Sequence, residues 1–218
     1  MALPSQLVRV LATTAAILAI LCTGSAAAAT EESRDPWQLL ETLRRNLSAT
    51  PQRAGFVQEY LPAGFSSGDR ESGDLYLAIP ECARWDYLEP YPKSFLLCEN
   101  EIHAWNPGDR AGRRYTFSGS DEPGIDLLRL RLEELQQRYT AQLEDSQQQP
   151  IVVVLSPRSE SFAIAEARLT MDSLAEHLLG LSYSDREGNV SRFEISGYQP
   201  LSDRAVFEPP AGLEWMEE

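Results

Sequence analysis

Histidine and cysteine are nearly missing from this 218-residue chain, which has two of the first and three of the second. Neither type falls at metal-ligand spacing. H-x-x-x-H, H-E-x-x-H and C-x-x-C are all missing, so a zinc site lacks its usual frame. No Gly-rich phosphate loop is present, which removes the common signature of nucleotide binding. Basic residues are scarce as well: 19 Lys and Arg stand against 33 Asp and Glu, for a net charge of −14. Such a chain is a poor partner for nucleic acid or an anionic membrane surface. The plain meaning of the charge is solubility. Long apolar runs are also missing. The longest, residues 10–21, is about twelve residues, short of the ~20 that a helix needs to cross hydrocarbon.

That run has another use. Arg9 is the only charge before Glu31, and small residues follow from Gly24 to Ala29. Ala26-Ala27-Ala28 satisfies the small-x-small rule for cleavage. Residues 1–28 therefore read as a cleavable secretory signal peptide and 29–218 as a single domain, exported to an oxidising compartment. Cys22 could in principle carry a lipid, but Leu21 before it is not the small residue such a site wants. The mature part of ~190 residues is long enough for one sizeable core.

Asp35, Pro36 and Gln38 form a helix start, and Trp37, Leu40, Leu43 and Leu47 continue on one helical face. Short alternating segments follow at 55–61, 74–79, 82–87, 94–98 and 102–105, punctuated by a polar Gly-rich loop at 63–70, by Pro80, by Pro90-Tyr91-Pro92 and by Glu99-Asn100. This is the pattern of an antiparallel meander with one apolar face. From 125 to 139 the residues Ile125, Leu128, Leu132, Leu135 and Tyr139 share a helical stripe, with Leu127 and Leu130 pointing away from it. Strands resume at 151–155 and 162–171, with an irregularity expected near Ala165, then at 177–183 and 190–197. The last short strand is expected at 205–207, before Pro209-Pro210 and an acidic tail.

Cys82 and Cys98 remain after cleavage. They are equidistant from Pro90, so a hairpin centred there puts them opposite each other. A disulfide is the reading that this pairing favours; two small buried thiols are the other. Enzymatic signals are weak. His103 lies in a strand and is expected at an edge or surface rather than as a general base, and His177 sits at a strand start. Glu133-Glu134 falls on the polar side of a helix. No catalytic residue, metal or cofactor is expected. A sheet of about ten strands tends to curl. Under a helical cover it either encloses an apolar cavity or is filled core, and the pattern alone leaves both open.

The chain also resembles a known family, the periplasmic outer-membrane lipoprotein carriers of the LolA type. The matching pieces run in order: Phe56-x-Gln58, Gly73-Asp74-Leu75-Tyr76-Leu77 leading to Pro80, Trp85-x-Tyr87-x-x-Pro90, Ile102-x-x-Trp105-Asn106-Pro107, Asp185-x-x-Gly188-Asn189 and Phe207-x-Pro209-Pro210-x-Gly212. The resemblance implies an α+β, mostly β fold, an unclosed antiparallel β-barrel of about ten to eleven strands with helices forming a lid over an apolar cavity. It implies a non-enzymatic periplasmic monomer that takes lipoprotein acyl chains from an inner-membrane ABC transporter to an outer-membrane acceptor lipoprotein. Carriage of another lipid or acylated product, or lipid sensing in envelope stress, would use the same fold.

On alternation about Pro90, Leu75, Leu77, Ile79, Trp85, Tyr87, Phe95 and Leu97 share a face and are the expected cavity lining; Leu128 and Leu132 are the expected lid contacts. One departure stands out. The family commonly has Arg before the strand-ending Pro, where this chain has Ile79. An Arg there would need buried polar partners and could latch the lid; Ile79 removes that latch.

Overall fold

The computed structural model describes residues 34–116, 127, 129–145 and 149–217. The leader, Cys22 and Leu128 lie outside the described residues. Among the described residues no helix is long and apolar enough to cross a membrane.

Helix α1 (Pro36–Ala49) starts where its sequence dictates. The Asp35 carboxylate accepts the Trp37 N–H at 3.0 Å and Pro36 takes the first turn, satisfying amides that have no partner inside the helix. Leu40, Leu43 and Leu47 are its buried stripe. The strands that follow are β1 (Gln52–Leu61), β2 (Asp69–Ala78), β3 (Cys82–Glu89), β4 (Lys93–Cys98), β5 (Glu101–Trp105) and β6 (Ala111–Thr116). Helix α2 (Leu132–Arg138) then precedes β7 (Tyr139–Leu143), β8 (Ile151–Pro157), β9 (Ile164–Met171), β10 (Leu178–Asp185) and β11 (Val190–Pro200). A 3-10 turn at Ala205–Phe207 and β12 (Glu214–Glu217) finish the chain.

All twelve strands belong to one sheet in the order β12-β6-β5-β4-β3-β2-β1-β11-β10-β9-β8-β7. Every neighbouring pair is antiparallel except β12–β6. The expected fold is therefore present: mostly β, one large unclosed antiparallel sheet with helices. A single buried cluster joins inner-face residues of β1 to β5 and β8 to β11 with Leu40, Leu43, Leu47, Leu127 and Leu135 of the helical segments. A sheet this wide can gather side chains from its middle and both flanks into one cluster only by curling around them.

The hairpin of β3 and β4 is centred on Pro90, pairing Trp85 with Phe95 and Cys82 with Cys98. The two cysteines form a disulfide with Cα atoms 4.3 Å apart, the separation of directly opposed residues at the close positions of an antiparallel ladder. The irregularity expected near Ala165 is also there: Ser184 pairs Glu166 and Asp185 pairs Ile164, leaving Ala165 as the extra residue of a bulge.

Four expectations need correction. Tyr139 opens strand β7 instead of closing a helical stripe, because α2 ends at Arg138; the Leu-Glu-Gln-Arg composition marks helix propensity but not where pairing with β8 takes over. Strand β6 lies in a stretch to which the sequence pattern assigns no element. Residues 205–207 form a 3-10 turn rather than a strand. The acidic tail contains β12, whose Trp215 packs edge-on against Trp105 and His103, with ring centroids at 6.1 and 4.8 Å. His103 is consequently buried, not at the surface, with 8% exposure. Gly112 makes room for that indole, since a Cβ there would lie 2.4 Å from the Trp215 ring.

Candidate functional site

The candidate site is the inner face of β2, β3 and β4 with the helical segments over it. Antiparallel partners directly across a ladder point to the same side, so register alone groups the side chains. Leu75, Trp85 and Phe95 form one cross-strand row, and Leu77, Ala83, Leu97 and Ile102 form the next. A third row runs Phe56, Gly73, Tyr87. Of the seven strand-face residues expected to share a surface, Leu75, Leu77, Ile79, Trp85, Tyr87 and Leu97 are buried in the one cluster, and Phe95 is half-buried against it. Leu132 also packs on this cluster from the start of α2, whereas Leu128 lies outside the described residues. Leu127, read as pointing away from the main stripe, is one of the buried members, at 2% exposure.

Gly73 explains how the third row works. It has no side chain between Phe56 and Tyr87, so their rings meet above it edge to face, centroids 5.0 Å apart, a favoured aromatic geometry. The Tyr87 hydroxyl donates to Gln58 Oε1 at 2.5 Å. Burial, with the Glu71 charge adding to it, pushes the Tyr87 phenol well above its ordinary pKa. Lys93 sits 4.5 Å over the Tyr87 ring and donates to both Glu71 oxygens at 2.7 and 2.9 Å. The apolar face thus ends, on this side, in a short polar chain of Gln58, Tyr87, Lys93 and Glu71.

Among the described residues, side-chain hydrogen bonds join the helical cover to the strands and its segments to each other. Asn46 of α1 donates to the Ala175 carbonyl at 3.1 Å in the β9–β10 turn. Arg44 donates to the Arg129 carbonyl at 3.4 Å. Arg129, just before α2, donates to the Pro80 carbonyl at 3.3 Å and to the Glu99 carbonyl. Residue 79 is the apolar Ile, as the sequence requires, and is buried at 2% exposure. The cationic tie comes instead from the helical side, reaching the turn residue next to Ile79. Sequence reading passes over Arg129 because a charged residue in a helical segment carries no mark of its tertiary partner.

Two features with a chemical look belong to turns. Gly64-Phe65-Ser66-Ser67-Gly68 spells G-x-S-x-G, a pattern that sequence reading also passes over. It lies in the exposed loop between antiparallel β1 and β2, not on the strand-to-helix turn that presents a nucleophile. Asp172, Glu176 and His177 bring ligand-type atoms within 4.8 Å of one another. Asp172 is already committed there, accepting the backbone N–H groups of Leu174, Glu176 and His177 and lying 3.0 Å from His177 Nδ1. Burial pushes its pKa up, but the backbone of Glu176, the ring of His177 and the backbone of Leu174 outweigh this and leave it lowered. That trio closes the β9–β10 turn.

Residues 48–209 match the family described as outer membrane lipoprotein carrier protein LolA. Among solved structures, an uncharacterized conserved protein from Thermus thermophilus superposes with a TM-score of 0.54 at 16% identity, covering 83% of this chain and 98% of that one. MucB superposes at 0.50 with 12% identity, over 82% of this chain and 64% of its own. A LolA superfamily protein from Nitrosomonas europaea gives 0.47 at 11% identity, over 81% and 98%. At such identities the likeness is one of fold. No curated protein sequence matches the chain.

Proposed function

We propose, since this chain belongs to the LolA family of outer membrane lipoprotein carriers, that it is a periplasmic carrier holding the acyl chains of lipoproteins on its apolar inner face. The observation that carries this reading is the continuous Leu75–Trp85–Phe95 and Leu77–Ala83–Leu97–Ile102 face beneath a helical cover tied on by Asn46 and Arg129. Separating that cover from the strands breaks side-chain hydrogen bonds to carbonyls and no sheet ladder. It also uncovers Leu40, Leu43, Leu47, Leu127 and Leu135, so the inner face opens only as an apolar guest takes the place of those side chains. Each buried CH₂ of an acyl chain contributes roughly 0.8 kcal/mol, so the guest's apolar length replaces the contacts that the leucines give up and offsets hydrogen bonds of about 1 kcal/mol each.

Nothing in this reading calls on turnover. The carrier binds and releases; it has no reaction to catalyse, and an acyl chain needs burial and not bond cleavage. The cargo comes from an inner-membrane ABC transporter, and the recipient is an outer-membrane acceptor. Ile79 makes the face greasier than an Arg would, and Arg129 supplies the tie. Release of newly made lipoproteins from spheroplasts, with and without the purified protein, tests the proposal. Release that depends on the protein is expected; no release in its presence rejects lipoprotein carriage and leaves a shuttle for other lipids, which mass spectrometry of co-purifying lipids would reveal.

A further inference from the structure

The outer face of β4 and β5 carries a second concavity, on the opposite side of the sheet from the Leu75–Trp85–Phe95 row. Along β4 the side chains alternate, so Leu96 and Cys98 face outward while Phe95 and Leu97 face inward. The chain after β11 returns over this outward patch. Phe207 and Pro209 form the far wall, and the Cys98 sulfur lies 3.7 Å from the Phe207 carbonyl oxygen. Between them is a cleft of about 530 Å³ with Leu96, the Cys82–Cys98 bridge and Phe207 as its apolar surface. This volume is within the ~300–1,000 Å³ typical of ligand sites.

Its rim is acidic. Glu81, Glu99 and Glu101 line it, all three exposed. Among the described residues none of their carboxylates takes part in an ion pair. Among the described residues the one cationic side chain in the lining is Arg129, whose guanidinium donates to the Pro80 and Glu99 carbonyls. His103 is the remaining polar wall, and burial keeps its ring neutral at pH 7 by lowering its pKa.

We infer that this cleft docks a partner polypeptide segment presenting an apolar side chain between lysines or arginines: the apolar residue packs on Leu96, Phe207 and the disulfide, and the cations meet Glu81, Glu99 and Glu101. A free acyl chain ending in a carboxylate or phosphate suits it less, because its head group would be brought against three carboxylates. The site is separate from the inner face in position and in chemistry. It also touches Arg129, the residue that ties down the cover, so a segment seated there lies against the same tie.

The chain's two histidines provide the test. His103 lines the cleft, and His177 lies by the β9–β10 turn on the other half of the sheet. Histidine-labelled full-length protein is titrated with the peptide Lys-Leu-Lys-Phe-Lys-Leu and with Glu-Leu-Glu-Phe-Glu-Leu, following ring signals by NMR and affinity by fluorescence anisotropy. The lysine peptide is expected to bind about tenfold tighter than the glutamate peptide, to move the His103 signals and to leave those of His177 in place. The exposed triple substitution Glu81→Gln, Glu99→Gln, Glu101→Gln is expected to weaken it about tenfold, the combined effect of three exposed ion pairs. Failure of the lysine peptide to bind, equal binding of the two peptides, undiminished binding to the triple variant, or saturation without movement at His103 would each overturn the inference. So would displacement of the peptide by a fluorescent hexadecanoyl probe, which would place it on the inner face.

Discussion

The Tyr87 hydroxyl donates to Gln58 Oε1 at 2.5 Å, across a strand whose intervening residue is Gly73. Three short sequence pieces that look unrelated, Phe56-x-Gln58, Gly73-x-Leu75 and Trp85-x-Tyr87, are therefore one packing unit. Glycine is required at its centre, because a Cβ on residue 73 would lie 1.9 Å from the Asp86 carbonyl oxygen. Tyr87→Phe should cost about 1 kcal/mol, since Gln58 is left without its donor. The double variant Tyr87→Phe, Gln58→Leu should recover part of that loss. Urea midpoints for the four proteins check it, and strictly additive effects would show that the two side chains are not coupled.

The Cys82–Cys98 bridge closes a short loop between strands that already pair. The chain-entropy expectation for a loop of this length is about 3 kcal/mol, and the existing hairpin reduces it. Replacing both cysteines with serine should lower stability by about 2 kcal/mol without changing the far-ultraviolet spectrum. An unchanged urea midpoint would mean that the bridge adds nothing to the hairpin.

Arg129 does from the helical segment what an Arg at position 79 would do from the strand. Arg129→Gln should slow release of a bound fluorescent acyl ligand roughly tenfold, because the charge-assisted hydrogen bond of about 1.5 kcal/mol that re-forms as the cover closes behind the departing guest is lost. Ile79→Arg should change the off-rate in the same assay. If both variants release at the wild-type rate, the cover is not held by either residue.

His103 gives the chain a pH-dependent stability. Its pKa is lowered, first by burial, with Glu101 opposing the shift and Arg114 adding to it. The unfolded chain takes up a proton near pH ~6.5 while the folded ring resists it. Below that pH the unfolded state binds more protons, so stability is complete above it and falls as the pH drops. His103→Phe, beneath Trp215, should lose less stability than wild type between about pH 7.5 and about pH 5, the range that brackets the ordinary histidine pKa. Identical losses would exclude His103 as the cause.

Much of the barrel was legible in the sequence, and the reasons are local. Apolar residues alternate on β2, β3 and β4, and Pro90 sets the centre of their hairpin, so register and the shared face of Leu75, Trp85 and Phe95 follow without tertiary information. The start of α1 was legible through Asp35 and Pro36, whose effects act within one turn. β7 and β12 were not, because an edge strand is defined by its partner as much as by its own residues, and neither was β6, which lies just inside the β12 edge. Charged Glu214 and Glu217 are acceptable on the β12 edge and would be costly in the middle of a sheet.

What the sequence by itself determined is the apolar face and its chemistry: which residues alternate, where the turns fall, and that Ile79 brings no charge to the strand end. What the tertiary structure decided is what meets that face. Arg129 reaches the carbonyl beside Ile79 from 49 residues away in the chain, and Trp215 returns to bury His103. The first depends on the helical segments folding over the sheet, and the second on β12 pairing beside β6, each of which brings distant segments together. A contact between residues far apart in sequence leaves no periodic trace in either of them, whereas a shared face is written into each strand at every second residue.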